Sequence, residues 1–287
     1  MPRDLPPRVL TAPRRLAVLG SPIEHSRSPD LHRAAYQVLG LPWEYERREV
    51  PSGALGAFFE GLDDEWRGLS LTMPLKREVL PMLVARTEVV DMAEAANTVL
   101  LGPDGARGFN TDIAGIVGAL ADHGVSDVDT VHVIGTGNTA ASAFLAASRL
   151  GASRVLISGR SLDGIAALER LGDRLGVHTE WRLYGSDVPV RSDLVINTLP
   201  GDIDPEDDPD ADLGEVLMEV PYDPWPTPRA ARWAQRDGRV VSGLEMLLHQ
   251  AIEQVRIFVT GVEGGELADE DDVIDAMRES VGLKLED

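Results

Sequence analysis

Hydrophobic residues follow two alternating patterns along the chain. Short apolar runs, typical of buried strands, alternate with stretches in which apolar residues recur every three or four positions, as on one face of a helix. In the first part of the chain, these patterns predict strands at 16–20, 43–50 and 68–72 and helices near 29–39 and 53–62. The apolar face of the second helix, expected in the core, is formed by Leu55, Phe58, Phe59 and Leu62. The alternation is typical of an α/β layer with a largely parallel sheet.

The middle of the chain repeats this alternation and adds a glycine-bracketed turn. The predicted elements are a helix at 113–123, a strand at 131–134, a helix from Ala140 to Arg149, a strand at 154–158, a helix at 161–175 and a strand at 193–197. A strand, a tight turn and a helix in succession are typical of the start of a Rossmann unit. Two amphipathic helices follow at 244–259 and 270–281, and we expect them to pack back on the first part of the chain.

Composition limits the class of protein. A chain of 287 residues is long enough for two domains, and no apolar run approaches the roughly 18 residues of a membrane span. Residues 1–15, rich in proline and arginine, lack the apolar stretch of a signal peptide. We therefore expect a soluble, cytoplasmic protein with a loosely held N-terminal segment.

Cysteine and histidine usage narrows the possible chemistry. The chain has no cysteine, and its six histidines show no HExxH pattern. Disulfides, a cysteine nucleophile and thiolate metal sites are therefore excluded, and little supports a catalytic metal.

A net charge of −21 argues against nucleic acid or an anionic membrane as partner, because both require a basic face. The simplest interpretation of this charge is a solvated acidic surface. Carboxylates concentrate at 202–212, predicted as a surface loop, and at 263–272, predicted as the lead-in to a helix. Any anionic substrate must therefore be held by local donors against the overall field.

The turn GTGNTA at 135–140 is the strongest single motif. Gly135 permits a tight turn, Gly137 allows backbone to approach a phosphate, and Ala140 stands where a third glycine would permit close helix packing. A turn without any ligand is the alternative. The next strand ends in Arg160 instead of an acidic residue, which favours a 2′-phosphate and hence NADP. A solvated surface arginine is the alternative for Arg160.

Two serines flank an arginine in EHSRSPD. The hydroxyls of Ser26 and Ser28 can hold both oxygens of a carboxylate, although Ser28 before a proline is equally typical of a helix N-cap. In LTMPLK, Lys76 follows a predicted strand and can donate a proton to a carbonyl oxygen that gains negative charge; an ordinary solvent lysine is the alternative.

Polar residues also stand between apolar runs in ANTVL at 96–100 and in FNTDIAG at 109–115. Asp112 opens a helix, so it is either an N-cap or a carboxylate that tunes the ionisation of Lys76 in a shared cleft. Gln250 lies on the same helical face as Met246, where it can simply satisfy backbone groups.

Taken together, these motifs resemble the ordered motif series of the shikimate dehydrogenase family over residues 16–260. The matching segments are GSPIEHSRSPDLH, SLTMPLK, EAANTVL, FNTDIAG, GTGNTA, YDPWPTP and SGLEMLLHQA. The resemblance implies an N-terminal α/β substrate-binding catalytic domain, an NADP-binding Rossmann domain and C-terminal helices that return to the first domain. The implied boundaries are residues 1–112 with 244–287 for the first domain and 113–243 for the second.

The resemblance also implies an activity and its residues. Hydride from NADPH would reduce the ketone of 3-dehydroshikimate to shikimate, with Lys76 and Asp112 as the catalytic pair. The implied substrate ligands are Ser26, Ser28, Thr72, Asn97, Asp112, Tyr222 and Gln250. The implied cofactor contacts are Gly135, Gly137, Asn138, Thr139, Ala140, Arg160, Ser161, Thr198, Leu199, Gly243 and Met246. The partner is a small molecule, and the protein is expected to be a monomer or a homodimer.

The chain departs from the family pattern at several positions. Gly159 and Gly164 stand where the family often has an asparagine before the clamp arginine and a second arginine after it, so NADP preference is expected to be weaker. Ser70 replaces an asparagine, and Ser242 replaces an aspartate before Gly243.

Other functions remain open at this point. The chain could be a paralogue that acts on quinate or an aminated analogue with NAD or NADP, although Ser28, where a threonine would indicate quinate, favours shikimate. A ligand-binding regulator without turnover is less consistent with the presence of both Lys76 and Asp112. A purely structural NADP-binding module would leave the serine pair without purpose.

Overall fold

The structure, a computed structural model, describes residues 11–184, 191–201, 203 and 215–284. The chain divides into two compact units, Met1–Thr111 with Leu248–Asp287 and Asp112–Leu247. The acidic stretch predicted as a surface loop at 202–212 lies almost wholly outside the described residues, as does most of the predicted N-terminal segment at 1–15.

The first unit contains a mixed six-stranded sheet. Its strands are β1 (Arg14–Gly20), β2 (Trp43–Glu49), β3 (Trp66–Leu71), β4 (Ala85–Arg86), β5 (Thr98–Gly102) and β6 (Gly105–Phe109). Its helices before the second unit are α1 (Ser28–Val38), α2 (Leu55–Glu60), α3 (Leu75–Glu78) and α4 (Glu88–Ala93), with a short 3-10 turn at Leu80–Met82. The α/β class and the strands and helices predicted for this region are confirmed, with shifts of a few residues at their ends. The helix predicted from residue 53 begins later because Gly53 has a left-handed backbone, φ +83°.

The strand order in this sheet is β2-β1-β3-β5-β6-β4. β1, β2 and β3 are parallel, as expected, whereas β5 runs antiparallel to β3 and β6 antiparallel to β5. A tight turn between Gly102 and Gly105 joins β5 to β6 and makes them a hairpin that the sequence pattern did not predict. In consequence the start of β5 and the end of β6 lie at the same edge of the sheet as the carboxyl ends of β1 and β3.

The second unit contains a sheet of six parallel strands. Its helices are α5 (Asp112–Asp122), α6 (Asn138–Arg149), α7 (Leu162–Leu175) and α8 (Pro228–Ala234). Its strands are β7 (Thr130–Ile134), β8 (Arg154–Gly159), β9 (His178–Leu183), β10 (Leu194–Asn197), β11 (Val216–Glu219) and β12 (Arg239–Ser242). The strand order is β12-β11-β10-β7-β8-β9, which is the doubly wound Rossmann order with its switch point between β7 and β10.

Two helices complete the described chain. Helix α9 (Gly243–Thr260) begins in the second unit and continues into the first, and α10 (Glu270–Ser280) packs on α1. Within the first unit, the ring of Phe258 lies against Gly68 of β3, where an added Cβ would lie 2.3 Å from a ring carbon. The glycine therefore allows α9 to approach the sheet closely. No helix in the described part of the chain is long and apolar enough to cross a membrane.

Candidate active site

The serine turn between β1 and α1 presents two hydroxyls to the same side. The Ser26 hydroxyl donates to the Ser28 hydroxyl at 3.2 Å, and the backbone N–H of Ser28 points at the Ser26 hydroxyl at 3.4 Å. No side chain caps α1, so the N-cap interpretation of Ser28 is wrong. The pair is therefore available to hold the two oxygens of a carboxylate.

Two arginines hold this turn in place. Arg27 donates to Asp30 at 2.7 Å and to the carbonyl of Ser280 at 3.3 Å, which links the turn to α1 and α10. Arg47 on β2 donates to the carbonyl of Ser26 at 2.7 Å. Sequence reasoning did not single out Arg47, because an arginine in a strand carries no local sign of what it will contact.

Thr72 and Lys76 follow the carboxyl end of β3. The N–H of Thr72 donates to the carbonyl of Leu19 at 2.9 Å, and a Cβ on Gly20 would lie 2.3 Å from the Thr72 methyl group, so glycine lets the two strand ends meet. Lys76 lies in α3 and is only 9% exposed, which excludes the interpretation as an ordinary solvent lysine. Lysines are rarely buried without a specific role or partner.

Asn97, Thr111 and Gln250 form a hydrogen-bonded triangle at the same edge of the sheet. The Asn97 Nδ2 group donates to the Thr111 hydroxyl at 3.0 Å and to Gln250 Oε1 at 3.2 Å. The backbone N–H of Thr111 donates to Asn97 Oδ1 at 2.8 Å. Gln250 thus contacts polar side chains instead of satisfying only backbone groups. Thr111, a member of this triangle, was not among the predicted site residues, although it stands beside Asp112 in FNTD.

A polar side chain of α1, His32, is buried in the same unit as this triangle. The His32 ring is fully buried, stacks on Tyr45 with ring centroids 4.0 Å apart and bonds to Gln254 Oε1 at 3.1 Å and to the Tyr36 hydroxyl at 3.1 Å. Burial lowers the pKa of His32 to about 3, only partly opposed by the bond to Gln254, so the ring is neutral at neutral pH.

This lowered pKa makes the fold sensitive to acid. Below pH 6.5 His32 becomes protonated in the unfolded chain but stays neutral in the folded protein. The free energy of unfolding therefore decreases as the pH falls from 6.5 towards 3. Urea unfolding at a series of pH values should therefore show a decline that is steeper in the wild type than in His32→Gln, by up to about 1.4 kcal/mol per pH unit. Any constant stability loss in the variant does not affect this slope. An equal dependence of the unfolding free energy on pH in the wild type and in His32→Gln would contradict the lowered pKa of His32.

In the second unit, Gly135 lies at the switch point of the sheet. Its φ is +110°, and an added Cβ would lie 2.2 Å from the Thr198 hydroxyl. That hydroxyl donates to the carbonyl of Ile134 at 2.8 Å, and the N–H of Leu199 points at Asn197 Oδ1 at 3.2 Å. Glycine is therefore required here both by backbone conformation and by the approach of the segment after β10.

Gly137 differs because none of the described residues demands a glycine there. It is exposed, it precedes α6 with an extended backbone, and an added Cβ would meet no atom within 4 Å. No side chain caps α6, and Ala140 in its first turn is fully buried. An uncapped helix start beside open backbone fits the pyrophosphate of a dinucleotide. The helix begins at Asn138, followed by Thr139, two residues before the predicted start.

The segment after β8 shows why the chain departs from the family pattern. Arg160 is exposed directly after the strand, and the Ser161 hydroxyl accepts from the N–H of Gly164 at 3.1 Å as the N-cap of α7. An added Cβ on Gly159 would lie 2.4 Å from the Thr136 methyl group, and one on Gly164 would lie 2.9 Å from the Thr136 carbonyl. Thr136 thus fills the space that side chains at both positions would need. Arg160 is the only arginine between residues 159 and 164.

The remaining predicted residues also lie in the second unit. Asp112, 3% exposed, is the first residue of α5, and half-buried Tyr222 follows β11. An added Cβ on Gly243 would lie 1.9 Å from the carbonyl of Val220, and Met246 is 6% exposed. Because all strands of this sheet are parallel, Gly135, Arg160, Thr198, Tyr222 and Gly243 follow strands that end at one edge.

The structure therefore gathers the predicted residues into two groups. The first unit holds Ser26, Ser28, Thr72, Lys76, Asn97 and Gln250, and the second holds Asp112, Tyr222 and the predicted cofactor contacts. Within the described ranges, no cluster of three or more histidine, cysteine, aspartate or glutamate side chains could hold a metal ion.

Fold and site define a class of protein, a two-unit α/β dehydrogenase with a Rossmann unit and a polar substrate unit. Comparison with known proteins identifies the family. Residues 18–99 match the model of the shikimate dehydrogenase substrate binding domain. The shikimate dehydrogenase (NADP(+)) of Ignicoccus hospitalis is 32% identical over 85% of this chain and 92% of its own length. The chain belongs to the shikimate dehydrogenase family.

Solved structures agree with this assignment. The crystal structure of Mycobacterium tuberculosis shikimate dehydrogenase is 37% identical, covers 93% of this chain and 100% of its own, and superimposes with a TM-score of 0.82. The Thermus thermophilus enzyme in complex with NADP(H) and shikimate is 27% identical over 93% of this chain and 99% of its own, with a TM-score of 0.73. The resemblance read from the sequence motifs is therefore confirmed.

Proposed function

We propose that the protein is an NADP-dependent shikimate dehydrogenase that reversibly reduces 3-dehydroshikimate to shikimate in chorismate and aromatic amino-acid biosynthesis. The observation that carries the proposal most directly is the burial of Lys76 in the unit that also presents the serine pair and the Asn97 triangle. A relative so named matches over most of both chains. The first unit would be the substrate-binding catalytic domain and the second the NADP-binding domain, in a cytoplasmic monomer or homodimer.

Each polar group of the first unit has a chemical part in this proposal. Ser26 and Ser28 bind the carboxylate through two hydroxyls, which suits an acidic chain that must hold an anion with local donors. Thr72, Asn97 and Gln250 bind the ring hydroxyls, since amides and hydroxyls can both donate and accept. Tyr222 of the second unit is a further proposed substrate ligand.

Lys76 and Asp112 are proposed as the catalytic pair. The Lys76 ammonium stabilises the oxygen that gains negative charge as the ketone carbon is reduced, and then protonates it. In the oxidative direction the neutral amine accepts the same proton. Asp112 orients a substrate hydroxyl for this step.

The residues of the second unit fit NADP. Gly135, Gly137, Asn138, Thr139 and Ala140 would hold the pyrophosphate, Arg160 and Ser161 the 2′-phosphate, and Thr198, Leu199, Gly243 and Met246 the remainder of the cofactor. When bound, NADPH supplies the hydride that the reduction needs.

The simplest test mixes the protein with shikimate and NADP and follows the absorbance of the reduced cofactor. The proposal predicts turnover. Binding of shikimate without turnover would instead support a ligand-binding regulator.

A further prediction concerns the serine pair. Ser28→Ala should raise the KM for shikimate about tenfold or more, because a hydrogen bond to a charged group contributes roughly 1.5–3 kcal/mol. The methyl ester of shikimate has no carboxylate charge, so its much weaker turnover should change far less. Ser52→Ala, an exposed serine in the same unit, is the matched control. Equal losses with the acid and the ester would show that Ser28 does not bind the carboxylate.

A further inference from the structure

Gln254 is a fully buried amide at the centre of a polar network in the first unit. It is 1% exposed and lies four residues after Gln250, on the same face of α9. Its Oε1 accepts from His32 Nε2 at 3.1 Å and from the Ser70 hydroxyl at 2.9 Å. Its Nε2 donates to the Thr98 hydroxyl at 3.0 Å and to the Asn97 carbonyl at 3.4 Å. All of its hydrogen-bonding capacity is therefore used.

The orientation of this amide is determined by its partners. The Asn97 carbonyl can only accept a hydrogen bond, so the nitrogen of Gln254 must face it and the oxygen must face His32 and Ser70. Ser70 accepts from the Tyr45 hydroxyl at 2.6 Å, which leaves its own proton for Gln254. Neutral His32 accepts from the Tyr36 hydroxyl at Nδ1 and donates from Nε2.

The network continues from Gln254 to Asn97 through one hydroxyl. Because Thr98 accepts from Gln254, its proton is directed to Asn97 Oδ1 at 2.8 Å. The N–H of Thr111 donates to the same oxygen. With Oδ1 occupied by two donors, the Nδ2 group of Asn97 is turned towards Thr111 and Gln250.

We propose that Gln254 is a positioning residue, which fixes the side-chain amide of Asn97 through Thr98. The Nδ2 group of Asn97 in turn holds the Gln250 oxygen, so Gln254 sets the hydrogen-bond pattern that the triangle of Asn97, Thr111 and Gln250 offers to the substrate hydroxyls. The kinetic consequence of this inference rests on the proposed function, whereas the hydrogen bonds from Gln254 through Thr98 to Asn97 do not. Ser70, where the family commonly has an asparagine, is one of the residues that hold Gln254. Gln254 has no direct contact with the substrate in this scheme.

Kinetics of two near-isosteric variants test the proposal. Gln254→Met and Thr98→Val should each raise the KM for shikimate about tenfold and leave the KM for NADP unchanged. The double variant should be no worse than either single variant, because both interrupt the same relay. Thr98→Ser keeps the hydroxyl and should restore a KM near that of the wild type. A lower unfolding midpoint with unchanged KM for shikimate would overturn the proposal and leave Gln254 with a structural part only.

A second measurement separates this proposal from the proposed function. NMR spectra of protein labelled with the heavy nitrogen isotope should show the two side-chain amide protons of Asn97 as resolved signals. These protons should exchange slowly with water in the wild type and in Thr98→Ser. In Gln254→Met these protons should shift and exchange faster. Unchanged amide signals would overturn the positioning role. Lack of turnover by the wild type with these signals as expected would refute only the enzymatic proposal.

Discussion

Lys76→Ala is expected to lower kcat by about 100- to 10,000-fold, the contribution of a general acid, while NADP binding and folding remain. The reason is that the oxygen that gains negative charge as the ketone is reduced would lose both the stabilising ammonium and its proton donor. Initial rates at saturating shikimate and NADP, together with the dissociation constant for NADP, measure the two effects separately.

The neighbouring residue provides a control for this experiment. Arg77 is exposed and pairs with Glu94 at the surface, so Arg77→Ala removes a positive charge from the same short helix at little cost. Lys76→Met, which keeps most of the buried stem, guards against loss of packing. A Lys76→Met enzyme with a near-normal rate would show that another group donates the proton.

Arg160→Ala is expected to weaken NADP binding about 10- to 100-fold and to leave NAD binding nearly unchanged. The guanidinium would make charge-assisted bonds to the 2′-phosphate, each contributing roughly 1.5–3 kcal/mol, and NAD lacks that group. Because Thr136 occupies the space beside Gly159 and Gly164, no second arginine of this segment compensates. Titration of the fluorescence of the reduced cofactors, NADPH and NADH, gives both dissociation constants.

The control for Arg160 is Arg170→Ala, which removes the same charge from an exposed position on α7. It should leave both dissociation constants unchanged, since salt screens distant surface charges. Equal weakening of NADP and NAD in Arg160→Ala would show that this arginine does not distinguish the 2′-phosphate.

The elements with clear hydrophobic periodicity were predictable from the sequence, and those without it were not. The apolar runs of β1, β7 and β8 and the long amphipathic α9 were all predicted. Strand β9, with the sequence HTEWRL at the edge of its sheet, lacks a buried face that would mark it as a strand. The short β11 and β12, the hairpin β5–β6 and helices α4 and α8 were missed for similar reasons of length or polarity.

Site residues divide along a comparable line. Ser26, Lys76 and Asn97 were recognisable because they stand in motifs, but the burial of Lys76 depends on tertiary contacts that no local pattern encodes. Gln254 follows Gln250 by four residues, and this spacing does not distinguish a buried glutamine from an exposed one. Only its four hydrogen bonds distinguish it, and these come from strands and helices distant in sequence.

The most direct test of the account is a comparison of initial rates with shikimate and quinate, each with NADP and with NAD. The account predicts that shikimate with NADP gives the highest kcat/KM of the four combinations. A highest value with quinate or with NAD would contradict the assignment and support a paralogue, and absence of turnover in all four would support a non-catalytic binding protein.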